Sequence, residues 1–122
     1  MINWFEIPVA DINRAKTFYE QLLDITLNTF DIPNGPQMAL FPHAGENTLS
    51  GALVCYPRFY HVGEQGPLIY LNANPDLQKV LDKVESIGGE QILPKRMITE
   101  ERGYMAVIKD SEGNRIALHS NK

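Results

Sequence analysis

One succession of alternating and helical patterns runs twice through this chain, and that recurrence restricts the fold more than anything else in the sequence. Residues 3–9 (NWFEIPV) alternate and predict a strand, with Phe5, Ile7 and Val9 on one face and Trp4 and Glu6 on the other. Asp11 then predicts a helix cap, and Ala15, Phe18, Tyr19 and Leu22 share one side at helical spacing. Strands are expected at about 25–31, 36–42 and 50–56, broken by the turn chemistry of Pro33-Asn34-Gly35 and Gly45-Glu46-Asn47. The pattern restarts at 68–73 (LIYLNA). Asn74-Pro75 predicts a helix cap followed by a proline in the first helical position. Leu77, Val80, Leu81, Val84 and Ile87 make the helical stripe, and Gly88-Gly89 ends it. Strands are expected again at about 90–97, 103–109 and 114–119.

The halves also echo in residue identity, at a spacing of about 65: Asp11 with Asp76, Met38-Ala39 with Met105-Ala106, Ala52-Leu53 with Ala117-Leu118. Each match is weak, but all fall in the order of a βαβββ–βαβββ plan. The expected class is α+β: two βαβββ modules, 1–56 and 67–122, joined by a linker over 57–66, in one domain spanning 1–122. A sheet covered by helices on one side leaves its other face free. Phe5, Ile7, Val9, Ile69, Leu71 and Ala73 are expected to face the helices. Trp4, Glu6, Leu68, Tyr70, Asn72, Ala117 and His119 fall on the free face, which becomes a cleft if the sheet curls.

At 122 residues the chain is long enough to bury a sizeable core. A net charge of -4 and a pI of about 5.3 argue against a nucleic-acid partner and against an anionic lipid surface. The single cysteine, Cys55, excludes a disulfide within the chain, which suits a reducing compartment. No signal-peptide pattern opens the sequence and no apolar run approaches 18 residues, so a cytoplasmic protein off the membrane is expected.

Four stretches carry a family likeness: WFEIPVADINRAKTFYEQLL, SGALV, GPLIYLNANPDLQKVLDKVESIGGEQILPK and GYMAVIKDSEGNRIALHS. They resemble the vicinal oxygen chelate superfamily, the group of glyoxalase I, bleomycin-resistance proteins and extradiol dioxygenases. The strongest pieces are the D-x-x-R-A-x-x-F-Y stretch from Asp11 and the D-x-E-G-N turn from Asp110. The resemblance implies a cupped eight-stranded sheet and a homodimer. The superfamily spans lyases, isomerases, dioxygenases and plain binders, so the fold does not decide the activity. Its metal-dependent members hold a divalent ion with side chains from four strands. Carried over, those positions are Trp4, Ala52, Leu68 and Ala117, none of which is a metal donor. Ala52 and Ala117 are implied to be equivalent and to face the same cleft.

The resemblance therefore implies a glyoxalase-like protein without metal and without cofactor, binding a small organic molecule in the sheet cleft, as a binding protein or a cofactor-independent enzyme. A metal-dependent lyase or isomerase of the glyoxalase I type and a drug-sequestering resistance protein are the alternatives. Glu6 and His119 are the candidate catalytic groups, and Trp4, Ala52, Leu68, Tyr70, Ala117 and Arg58 the candidate ligand contacts. Glu6, a carboxylate beside Trp4, is a candidate base, and His119 an acid, a base or a hydrogen-bond partner. Pairing in the family's manner puts Glu6 beside Val54 and Tyr70 beside His119. Arg58, in the aromatic loop YPRFYHVGEQG, could meet an anion. His61 in that loop covers a pocket, forms a dimer contact or packs on its own surface; His43 is expected at the surface. Cys55 is expected in the core, and Met38 and Met105 in packing roles.

Overall fold

The computed structural model describes residues 1–43 and 49–122; the turn expected at Gly45-Glu46-Asn47 lies outside the described residues. The chain divides into two compact units, Met1–Val62 and Gly63–Lys122, and the division falls inside the stretch read as linker.

The first unit contains β1 (Trp4–Pro8), α1 (Ile12–Leu23), β2 (Asn28–Asp31), β3 (Gln37–Leu40) and β4 (Ser50–Cys55). Its four-stranded sheet has the order β1-β4-β3-β2, with β1 parallel to β4 and the other pairs antiparallel. α1 begins where expected, because the Asp11 carboxylate accepts the Arg14 N–H at 3.0 Å and satisfies a donor the helix leaves open. Ala15, Phe18, Tyr19 and Leu22 are buried, and the helix packs on β3 and β4. Tyr19 meets Phe18 and Phe41 edge to face, with ring centres 5.1 and 5.7 Å apart. Gly51 lies opposite Phe5 in the ladder, where a β-carbon would stand only 2.3 Å from the Phe5 carbonyl oxygen. This close approach requires glycine. Cys55 is half-buried, its Sγ 3.5 Å from the Ala10 carbonyl.

The second unit contains β5 (Ile69–Asn72), α2 (Leu77–Leu81), a 3₁₀ turn (Glu85–Ile87), β6 (Glu90–Thr99), β7 (Gly103–Lys109) and β8 (Arg115–Ser120). Its sheet repeats the plan of the first, in the order β5-β8-β7-β6 with β5 parallel to β8. The eight expected strands are thus present as two four-stranded mixed sheets, one per unit.

The helical region departs from expectation twice. The cap of α2 is Asp76, not Asn74: its carboxylate accepts the Gln78 N–H at 2.9 Å, while a cis Asn74–Pro75 bond precedes it. Asn74 instead accepts the Asn121 N–H at 2.7 Å. The helix is also short. Beyond Asp82 the bonds tighten to three-residue spacing, Lys83 N–H to Val80, Val84 to Leu81 and Ile87 to Val84. Leu81, Val84 and Ile87 are themselves three apart, the 3₁₀ repeat, so they keep one face as the chain tightens. Leu77, Leu81 and Val84 are buried and Ile87 half-buried. Gly88, at φ 105°, ends the run.

The residue echoes acquire a physical cause in the ladders. Ala39 pairs with Leu53, and Ala106 with Leu118, all four fully buried. Ala52 and Ala117 are fully buried at corresponding positions, opposite Glu6 and Tyr70 respectively. The D-x-E-G-N turn is closed by the buried Asp110, whose Oδ1 accepts the Glu112 and Asn114 N–H groups, both at 2.9 Å. Asn114 in turn accepts the Gly63 N–H at 3.0 Å. Lys109 bonds Glu64 at 2.9 Å and Arg115 donates to the Gly66 carbonyl at 2.8 Å, so the β7–β8 hairpin fastens the start of its unit. No helix among the described residues is long and apolar enough to cross a membrane.

Candidate functional site

In the first unit, strand parity puts Trp4 and Glu6 on the sheet face away from α1. Trp4 is 42% exposed and Glu6 half-buried. The ladder sets Glu6 opposite Ala52, not beside Val54, because the parallel register pairs Val54 with Pro8. Two neutral donors converge on the Glu6 carboxylate. The Tyr60 hydroxyl donates to Oε1 at 2.5 Å, and the Trp4 indole Nε1–H donates to Oε2 at 3.3 Å. Tyr60 comes from the loop after β4, which turns back on itself as the Phe59 and Tyr60 N–H groups bond the Tyr56 carbonyl. The hydrogen bond to Glu6, then partial burial, then the Glu6 charge, all raise the Tyr60 pKa above its ordinary value. Tyr60 therefore stands at neutral pH as a donor.

A pocket of about 320 Å³ opens beside this pair, lined by Val9, Ala10, Pro57, Tyr60, His61 and Val62. It is walled mainly by apolar groups, with the Tyr60 hydroxyl and His61 ring as its polar side chains. Arg58 is exposed and lies over the Phe59 ring at 5.4 Å, with no ion pair to an anionic group among the described residues. His43 and His61 are exposed.

In the second unit, Tyr70 is 51% exposed and stands opposite Ala117. The residue opposite His119 is Asn72, so the expected Tyr70–His119 pairing is not formed in the ladder. His119 Nε2 lies 2.6 Å from the Arg102 carbonyl. A carbonyl only accepts, so Nε2 carries the proton, and the imidazole is tied to the β6–β7 turn. Ala117 sits in an apolar cluster with Met105 and Val107, and Leu68 packs against it. Met105 is buried, as its packing role requires; Met38 is half-buried.

The positions that the resemblance implies for a divalent ion, Trp4, Ala52, Leu68 and Ala117, hold an indole, two methyls and an isobutyl group. Ala52 and Ala117 have no exposed surface at all. None of these groups offers a lone pair to a hard or borderline cation. Among the described residues no three His, Cys, Asp or Glu side chains gather at one point. The donor set does not fit the metal.

Sequence reading identified Trp4, Glu6 and Ala52 as sharing a face but missed Tyr60 as the partner of Glu6. The two are 54 residues apart, and no local pattern reports where the loop returns.

The family model described as Glyoxalase/Bleomycin resistance protein/Dioxygenase superfamily matches residues 1–118. Comparison with curated protein sequences gives no match. Among solved structures, glyoxalase I from Zea mays is 22% identical with a TM-score of 0.73, over 97% of this chain and 45% of that one. The chain thus spans about half the length of the maize enzyme. The trypanothione-dependent glyoxalase I of Leishmania major is 17% identical with a TM-score of 0.73, over 99% and 86% of the two chains. A glyoxalase/bleomycin resistance protein/dioxygenase family enzyme from Burkholderia phytofirmans PsJN is 14% identical with a TM-score of 0.70, over 98% of both. At these identities the likeness is one of fold.

Proposed function

The chain belongs to the glyoxalase/bleomycin resistance protein/dioxygenase superfamily, and from that premise we propose that it binds a small, partly apolar organic molecule without a divalent ion at the family's ligand positions. The observation that carries this reading is the first unit's sheet face, where Trp4, at a position the resemblance implies for a metal donor, lends its indole N–H to Glu6, with the Tyr60 hydroxyl on the other oxygen. A half-exposed aromatic surface with one fixed polar group is the composition of a small-molecule site. Leu68 and Tyr70 are proposed as ligand contacts on the corresponding face of the second unit, while Ala52 and Ala117, expected as contacts, have no exposed surface and back the sheet instead. Glu6 is proposed as the polar anchor. His119, whose Nε2 proton is engaged, retains Nδ1 for a ligand. Arg58 is proposed as a peripheral contact.

The metal-dependent lyase reading lacks its donors, and elemental analysis separates the two. The proposal expects no stoichiometric divalent metal after dialysis; about one Ni, Zn, Fe or Mn per chain overturns it. Ligand binding is tested by a tryptophan-fluorescence screen of small organic compounds, since Trp4 is the sole tryptophan. Saturable quenching that weakens in Trp4→Phe, followed by calorimetry, supports the site. Unchanged affinity for every hit removes it. The homodimer and the cytoplasmic setting belong to the same proposal; sedimentation equilibrium checks the first, with a mass near twice 13.8 kDa expected.

A further inference from the structure

Glu6 is a carboxylate answered by neutral groups alone. Among the described residues its two oxygens receive one hydroxyl and one indole N–H, and no cation reaches it. A carboxylate has about four acceptor positions, so two remain for a ligand. The first unit is short of cations to fill them: Arg14, Lys16 and Arg58 are the only Lys or Arg in residues 1–62, against six carboxylates. Lys16 bonds Glu20 at 3.8 Å on α1, and Arg58 is spent on the Phe59 ring. The groups that hold Glu6 are both aromatic, and Tyr60 also walls the apolar pocket of about 320 Å³.

We propose that this face recognises an organic cation: a small protonated amine with an apolar substituent, its ammonium group on the remaining acceptor positions of Glu6, beside Trp4 and Tyr60. The inference rests on the small-molecule reading above and names the ligand class of the same site. The indole N–H and the phenol O–H lie in their ring planes, so both rings turn their edges to Glu6 and the carboxylate itself supplies the attraction for a cation. An anionic ligand would meet Glu6 with like charge, and a neutral one would leave its spare lone pairs without a strong donor. The two existing hydrogen bonds hold the carboxylate in place before the ligand arrives, which lowers the ordering cost of binding. The apolar substituent is suited to the wall formed by Val9, Ala10, Pro57 and Val62.

The test titrates the whole chain with benzylammonium chloride, benzyl alcohol and sodium benzoate, reading Trp4 fluorescence and heat at fixed ionic strength. The cation is expected to bind at least tenfold tighter than either other compound. Glu6→Gln should weaken the cation at least tenfold, and by more than it weakens benzyl alcohol, and Tyr60→Phe should weaken the cation a few-fold. The wild-type selectivity series needs no variant, so poor folding of Glu6→Gln leaves the proposal fully exposed. Equal or tighter binding of benzoate or benzyl alcohol overturns it, as does a cation affinity indifferent to Glu6→Gln. If none of the three binds while a wider screen yields a neutral or anionic ligand that reports on Trp4, the cation assignment falls and the binding function stands. If no compound of any class reaches Trp4, both fall.

Discussion

Tyr60→Phe removes one oxygen atom from the first unit, and the structure says what that oxygen does. It donates to the Glu6 carboxylate at 2.5 Å. Hydrogen bonds to charged groups contribute about 1.5–3 kcal/mol when buried. Here both partners are half-buried, and exposed charge interactions are worth roughly 0–1 kcal/mol. The expected loss lies between these limits, at about 1 kcal/mol. With an unfolding entropy of roughly 2.1 cal/mol/K per residue over 122 residues, that is a fall in melting temperature of about 4 °C. The assay is urea unfolding of wild type, Tyr60→Phe, Glu6→Ala and the double variant. The coupling energy should be about 1 kcal/mol, outside the roughly 0.3–0.5 kcal/mol within which independent sites add. The pH dependence has a definite sign. The fold raises the Tyr60 pKa above its unfolded value, so the added stability is complete below the ordinary tyrosine pKa of about 10 and is lost as pH rises through the folded value. Wild type and Tyr60→Phe should therefore differ at pH 7–9 and converge above it. A coupling energy near zero, or a gap that widens with alkali, would refute the pairing.

Three further outcomes follow from other parts of the structure. Gly51→Ala should destabilise by about 3 kcal/mol, the upper end of overpacking costs, because the backbone oxygen of Phe5 cannot move aside as a side chain would; urea midpoints measure it. Tyrosine ionisation followed by absorbance near 295 nm should lose one late step in Tyr60→Phe. The Lys95 ammonium at 2.8 Å and then the Gln78 N–H hold the Asp76 carboxyl below its ordinary pKa. Its stabilisation is present above the unfolded carboxyl pKa of about 4 and fades as pH falls through the lower folded value. The gap between wild type and Asp76→Asn should therefore be open at pH 6 and close in acid.

The fold was legible because it is written in periods and small residues. Alternation located the strands, and the repeated Ala39-Leu53 and Ala106-Leu118 pairs are one packing solution used twice. The helical stripe of the second unit was legible in outline only. Its spacing of three after Leu81 already described a 3₁₀ turn, and Asp76 outcompeted Asn74 as cap because it stands directly before Leu77 and its carboxylate is also held by Lys95. Parity placed Trp4 and Glu6 on one face, but a shift of two residues along a parallel pair leaves every side chain on the same face. Pattern therefore could not distinguish Ala52 from Val54 as the neighbour of Glu6. Tyr60 was illegible because loop trajectories depend on contacts distant in sequence.

The most direct test of the account follows the Trp4 indole N–H by two-dimensional NMR while a hit from the ligand screen is added. With a single tryptophan in the chain, that resonance is unique. The account predicts a saturable shift of the indole signal, with accompanying shifts at Glu6, Ala52 and Tyr60. Saturable binding that leaves the indole signal and these neighbours unmoved, and shifts other residues instead, would contradict it.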